Sequence, residues 1–368
     1  MRIIIMRFPK IDPSLSGLIC LMAERLGYEI EGFVSFDKDE KLTSINGYPV
    51  YEMMQIYDLS WDVAVYAYDE EDFETIRPRL IRLQMGRDDQ FKNIQWLLQQ
   101  TMIKKYEDFN DPAIQATIKY WKTHEISVFN QHIKAPDTLD KVYFDEACDL
   151  PYINFKTVDG ESRRMYFPND YTFQIIDDKK FVPNILREQH PTSPHLYTKG
   201  KHKVNPGDIV IDAGVCEGNF ALRYVDICSK MYLFEPEEMW QEPLRQTFKD
   251  YLDKVEIIPK FLSDKTDDKN ITIDDALPDF HGENIFLKMD IEGFEPLALR
   301  GAKKILTSNK VKASVCTYHN ADDLVRVKGI FQNYGYKTST SAGYMVFTYD
   351  PDIFKTADFR KGVLYAEN

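Results

Sequence analysis

Apolar residues along this chain come in two rhythms. Short continuous runs, such as Ile3-Ile4-Ile5, Ile209-Val210-Ile211 and Ile285-Phe286-Leu287, have the pattern of strands covered on both faces, as in a parallel sheet. Longer stretches place apolar residues at helical spacing. Residues 1–70 predict β-α-β with a further strand: strands at 3–5, 28–34 and 61–66, a helix over 14–26 ended by Gly27, and a turn with a short strand over 46–50. Residues 71–135 are polar, with Leu80, Leu83, Ile94, Leu97, Leu98, Ile114, Ile118 and Trp121 at helical spacing. They predict a helical connector interrupted at Asn110-Asp111-Pro112, where a turn caps the next helix. Residues 136–184 predict short strands about the hairpin dipeptide Asp159-Gly160, with Arg163-Arg164 as a solvated pair. Residues 185–368 alternate strands and helices, and the tail over 336–341, 344–349 and 363–366 is expected to supply the closing strands.

One stretch concentrates the chemistry: Val210-Ile211-Asp212-Ala213-Gly214-Val215-Cys216-Glu217-Gly218-Asn219-Phe220. A turn at Asn205-Pro206-Gly207-Asp208 precedes it. Gly214 and Gly218 let the backbone pass close to a ligand, and a helix opening near Glu217 turns its first N–H groups toward that ligand. The following strands end in acids. The run 230–234 ends at Glu235, the run 255–258 leads to Ser263-Asp264, and the run 285–289 ends at Asp290. Ligands of open α/β sheets sit outside the carboxyl ends of the strands, and an acid closing the second strand suits ribose hydroxyls.

Asp290 and Glu292 are two apart in an extended segment, so both carboxylates face one side. Such neighbours push their pKa values apart, which can create a base. The alternative for Glu292 is capping of a helix that begins near Phe294. A fifth strand over 312–318 ends at His319, a side chain suited to general-base work near neutral pH, or else a satisfied structural group.

The strings IDAGVCEGNF, LFEP, LSD, KMDIEGFE and LRGAKKIL, within residues 185–368, resemble the FkbM family of S-adenosylmethionine (SAM) dependent methyltransferases. KMDIEGFE is the most specific of them. The G-x-x-x-G loop, in place of G-x-G-x-x-G, favours SAM over a dinucleotide. The resemblance implies an α/β fold, with the doubly wound seven-stranded sheet of a class I methyltransferase and an antiparallel last strand. It implies cofactor contacts at Asp212, Gly214, Glu217, Gly218, Asn219, Glu235, Ser263 and Asp264. Asp212 would order the loop and the methionine ammonium, and Ser263-Asp264 would meet the adenine.

On this reading Asp290 would lie beside the transferring methyl, Glu292 would orient or act as base, and His319 would face the acceptor. In such enzymes the segment corresponding to the irregular stretch 187–197 precedes the SAM domain and can close over the cofactor. Ser193, His195 and Tyr197 are therefore candidate contacts to the methionine end or the acceptor, with a helix cap and a core-edge histidine as the alternative. A divalent metal, used by some O-methyltransferases, is not favoured, because no third spaced ligand accompanies Asp290 and Glu292. Arg360-Lys361-Gly362 is expected at the acceptor rim or in solvent.

Composition narrows the partners. The net charge of −13, from 59 acids against 46 bases with no basic run, argues against nucleic acid and anionic membrane. Cys20, Cys148, Cys216, Cys228 and Cys316 are scattered without C-x-x-C spacing, which argues for a reducing cytoplasm and against a disulfide framework or zinc. The opening apolar run is broken by Arg7, Pro9 and Lys10, and no run reaches spanning length, so neither a leader nor membrane insertion is expected.

The first segment, GYEIEGFVSFD…INGYPV, resembles the small Rossmann-like domain found before several sugar-modifying enzymes, where it can bind a nucleotide-linked sugar. Here no glycine follows the first strand before Gly17, so the usual phosphate cradle is missing and scaffold or docking duty is expected. The expected domains are a Rossmann-like domain over 1–70, the connector over 71–135, a β-hairpin lead-in over 136–184 and the methyltransferase domain over 185–368. The expected activity is SAM-dependent O-methylation of a hydroxyl on a small molecule, sugar or glycan intermediate, with a homo-oligomer allowed. A non-catalytic SAM-fold module and a nicotinamide-dependent oxidoreductase are the alternatives.

Overall fold

The computed structural model describes residues 1–7, 13–37, 41–66, 77–129, 139–183 and 187–368. The chain divides into two compact units, Met1–Asn130 with Val346–Phe359, and Gln131–Met345 with Arg360–Asn368.

The first unit is built on a sheet whose five parallel strands lie in the order Tyr48–Glu52, Glu29–Ser35, Arg2–Arg7, Val63–Tyr66 and Phe91–Asn93, with Ser44–Ile45 antiparallel on one edge. Alternation along the first strand sends Ile3 and Ile5 to one core and Ile4 and Met6 to the other, so both faces are covered. The helices Pro13–Leu26 and Ile94–Tyr106 pack on the first of these faces. The break expected near Asn110 is a cap. Asp111 Oδ1 accepts from Ala113 N at 2.8 Å and Ile114 N at 3.2 Å, and Pro112 opens the helix Pro112–Tyr120.

The described helices of the expected connector, Ile94–Tyr106 and Pro112–Tyr120, belong to the first unit and close this core: Leu97, Leu98, Met102 and Trp121 pack with Ile3 and Ile5. Val346, Ile353 and Ala357 join the same cluster. The tail over 344–349 therefore supplies no closing strand. After Met345 the chain leaves the second unit, completes the first core and returns at Arg360, where the two residues pair reciprocally at 2.8 and 2.9 Å.

The second unit carries β1 (Ile209–Ala213), β2 (Lys230–Phe234), β3 (Val255–Ile258), β4 (Asn284–Met289), β5 (Lys310–Cys316), β6 (Lys337–Thr340) and β7 (Val363–Glu367) in the order β3-β2-β1-β4-β5-β7-β6. All pairs are parallel except those of β7 with β5 and β6. This is the expected doubly wound sheet with an antiparallel last strand. The helices Glu295–Arg300, Lys303–Ser308 and Asp323–Asn333 cover one face through Leu299, Ile305, Leu306, Val327 and Phe331.

Ahead of this sheet Leu150–Lys156 and Ser162–Tyr166 form the expected hairpin. Arg163 and Arg164 are not simply solvated: Arg163 donates to Tyr251 Oη at 2.7 Å, and Arg164 to Asp145 at 2.7 Å. Among the described residues no helix is long and apolar enough to cross a membrane.

Candidate active site

The site forms where β1, β4 and β5 end. Gly214, at φ 76°, passes so close to β4 that an added Cβ would lie 1.7 Å from the Asp290 carbonyl oxygen. Only glycine allows that approach. Beside it, Asp212 is 1% exposed, with Oδ1 3.1 Å from Nζ of buried Lys288. Lys288 also donates to the Gly214 carbonyl, so Asp212 orders the glycine loop through a lysine. Burial opposes the Lys288 charge, but Asp212 and Asp290 hold its pKa above the ordinary value. Burial raises the pKa of Asp212, and Lys288 works against that rise. Lys288 was not among the expected site residues. Its signal in the sequence was its place: a lysine inside a buried apolar strand requires a buried counter-ion.

Asp290 is the hub. Tyr197 Oη donates to its Oδ2 at 2.7 Å, and His195 Nε2 lies 3.2 Å from the same oxygen. Tyr318 Oη donates to Oδ1 at 3.2 Å, and His319 Nε2 is 3.3 Å from it. Each histidine is fixed at its far nitrogen by another carboxylate, His195 Nδ1 by Glu188 at 3.2 Å and His319 Nδ1 by Glu295 at 3.1 Å. Glu295 is fully buried and also accepts from Ile291 N at 2.9 Å. Burial disfavours charge on His195, yet the bonds to Asp290 and Glu188 raise its pKa to about 9. His319 is likewise raised, against burial, by Glu295 and Asp290. The histidines outweigh burial at Asp290 and hold it well below the carboxylate range.

Glu292 stands at the mouth with its side chain 80% exposed and Oε2 3.5 Å from His319 Nε2. Its φ of 55° lies in the left-handed region, a strain of about 1–3 kcal/mol for a residue other than glycine. Desolvation raises its pKa.

A cavity of about 450 Å³ opens beside this cluster, walled by Gly214, Glu235, Ser263, Asp290, Glu292 and Phe294 among others. Its lining carries four carboxylates, Glu235, Glu237, Asp290 and Glu292, against the single ammonium of Lys260, a balance that suits a cation. Glu235 Oε2 accepts from Cys216 N at 2.8 Å and Oε1 from Glu237 N at 2.9 Å, leaving acceptor capacity on both oxygens.

Other expected residues lie farther out. Asp264 does not line the cavity; it pairs with Arg300 at 3.4 Å near the surface. Glu217 and Asn219 bond each other at 2.7 Å outside the lining, with burial raising the Glu217 pKa to about 7. Gly218 caps the helix Asn219–Tyr224 in the left-handed region at φ 84°. Ser193 is buried and accepts from His195 N at 3.0 Å, so it shapes the turn that presents the histidine rather than facing the cavity. Among the described residues two groups have donor types a metal ion could use, His195-Asp290-Cys316 and Asp290-Glu295-His319, and in both the imidazole already faces a carboxylate.

Residues 234–338 match the family model described as the methyltransferase FkbM domain. The match takes in Glu235, Lys288, Asp290, Glu292, Glu295 and His319, while the glycine loop lies before it. No curated protein sequence matches the chain. Among solved structures the chain is similar to an FkbM methyltransferase of Methylobacillus flagellatus KT, at 15% identity and TM-score 0.41 over 99% of this chain and 89% of that one. It is also similar to a SAM-dependent O-methyltransferase of Thermotoga maritima, at 10% identity and TM-score 0.31 over 59% and 92%. A third likeness is to precorrin-6y C5,15-methyltransferase of Geobacter metallireducens GS-15, at 10% identity and TM-score 0.31 over 46% and 85%.

Proposed function

We propose, from the premise that the chain carries a SAM-dependent methyltransferase domain of the FkbM family, that it methylates a hydroxyl on a sugar or glycan. The observation that carries this reading is the Asp290 hub: an ionised, fourfold-held carboxylate at the end of β4, beside an acidic cavity and an exposed second carboxylate. When bound, SAM supplies a methyl group on a sulfonium whose positive charge shrinks as the methyl leaves.

The residues present fit that cofactor. The acid excess of the cavity that Gly214 lines favours a cation, and Glu235 keeps acceptor capacity for two ribose hydroxyls. Asp212 acts through Lys288 on the loop, and Asp290 and Glu235 are the carboxylates that would hold the cofactor's polar and cationic parts.

A hydroxyl acceptor must also lose a proton. His195 is a poor base because its carboxylate partners raise its pKa to about 9, and His319 is shifted the same way by Glu295 and Asp290. Asp290 is a poor base because the histidines hold its pKa well below the carboxylate range. Glu292 is exposed at the mouth, has a raised pKa and faces His319; it takes the hydroxyl proton, and His319 orients it. The acceptor is assigned to the sugar class on the look of the first unit's sequence and on the mixture of Phe261, Phe294, Asn270 and carboxylates around the cavity.

Calorimetric titration with S-adenosylhomocysteine, with NAD as control, tests the cofactor. A panel of glycosides and amines with labelled SAM then tests the acceptor. Binding of the homocysteine compound and label on glycoside oxygen are expected. Binding of NAD alone, or label on amines alone, would overturn the reading.

A further inference from the structure

Of the strip Arg360-Lys361-Gly362, the arginine is withdrawn from solvent and the lysine is half-buried. Arg360 is 4% exposed. A buried guanidinium is costly unless its donors are satisfied. Here one nitrogen, NH1, donates to two successive carbonyl oxygens, Tyr318 at 3.0 Å and His319 at 2.7 Å. Those carbonyls lie just past the end of β5 at Cys316, where sheet pairing no longer holds the chain. The same strip grips Thr317 twice more. Thr317 N donates to the Gly362 carbonyl at 3.0 Å, and Thr317 Oγ1 to the Lys361 carbonyl at 2.8 Å. Gly362 in turn lies tight against the segment that carries His195: a Cβ there would sit 2.1 Å from the Pro194 carbonyl oxygen.

Tyr318 and His319 are two of the four side chains around Asp290, and the His319 ring is bracketed by Glu295, Asp290 and Glu292, with Asp323 also near. A displacement of the 318–319 backbone by even an ångström would break that bracket, since its contacts are 3.1–3.5 Å long.

We propose that Arg360 is a positioning residue for methyl transfer: its guanidinium holds the Tyr318–His319 backbone so that the His319 ring stays between Glu295 and the Asp290–Glu292 pair. The inference rests on the orienting part given to His319 above. Lysine keeps a charged donor but sets it at the end of an unbranched, flexible stem, so it should keep the grip only in part.

The test uses the full chain with Arg360→Lys and Arg360→Gln, read by proton NMR and by titration with S-adenosylhomocysteine. The His319 Nδ1 proton, held by buried Glu295, is expected to give a slowly exchanging downfield signal, assigned by its loss in His319→Asn. Arg360→Gln should abolish that signal and Arg360→Lys should weaken it, while affinity for S-adenosylhomocysteine stays within about twofold. An unchanged signal in both variants overturns the proposal. So does loss of the signal together with cofactor affinity, which would mark a general structural part. If the signal behaves as expected but His319→Asn methylates at the normal rate, the grip stands and the mechanism assigned to His319 fails.

Discussion

The two units share a strand arrangement and differ in what they bury. Each has five parallel strands with the first strand central, flanked by the second on one side and the fourth on the other. In the second unit the chain beyond those strands turns on Gly214, Glu235 and Asp290. In the first unit the strands end at Arg7, Ser35, Glu52, Tyr66 and Asn93. Every buried carboxylate, lysine, arginine and histidine among the described residues, from His195 to Arg360, falls in the second unit. The buried polar side chains described in the first are Ser16, Ser35, Gln99, Thr101 and Thr117. Sheets of one arrangement can thus differ in chemical character, according to whether groups whose burial is costly are kept in pairs at their strand ends.

Substitutions that treat the two units alike should give opposite outcomes. The largest effect is expected from Glu292→Gln, which should lower turnover by about 10²–10⁴-fold and leave calorimetric affinity for S-adenosylhomocysteine unchanged. With the native residue, activity should fall as pH drops through a value above the ordinary 4.5, because desolvation raises the Glu292 pKa and only its ionised form accepts a proton. A normal rate in the variant would move the base elsewhere.

Gly214→Ala should destabilise the protein by roughly 2–4 kcal/mol and abolish cofactor binding, since backbone rather than a side chain meets the new Cβ. Chemical denaturation and calorimetry check both. Glu235→Ala should weaken S-adenosylhomocysteine by roughly 1.5–3 kcal/mol, and an unchanged affinity would remove Glu235 from the site.

The His195 pairing should appear in stability against pH. Its folded pKa of about 9 lies above the ordinary 6.5, so its contribution is complete below 6.5 and is lost as pH rises through 9. The thermal midpoint should decline across that window, by roughly 2–4 °C per kcal/mol lost, and decline less in His195→Asn. The smallest effect belongs to the first unit. Gly17→Ala, within a helix and with its nearest neighbour 3.7 Å from the new Cβ, should stabilise by about 0.4–1 kcal/mol and leave the cofactor untouched.

Much of this was legible in the sequence because it is local. Apolar runs located all the central strands of the second sheet, and the acids that close them include the hub, Asp290. What stayed hidden depends on meetings across long stretches of chain. His195 and Tyr197 were candidates, but nothing local says that they reach Asp290, more than ninety positions on. Lys288 was masked by lying inside a motif read for its acids. Arg360 sits beside Lys361 and looks like part of a solvated basic pair until the carbonyls it binds are seen. Asp264 follows the third strand as expected, yet it pairs with Arg300 near the surface and does not line the cavity.

The passage of Val346–Phe359 through the first core has a consequence for synthesis. Arg25 of the helix Pro13–Leu26 donates to the carbonyl of Lys355, a partner 330 positions later. At about 5–20 residues per second, roughly 17–66 seconds separate the two on the ribosome. The first unit must wait, with part of its apolar face uncovered, for a segment some 330 positions further along to arrive. Its completion is thereby made to follow the strands that carry the chemistry.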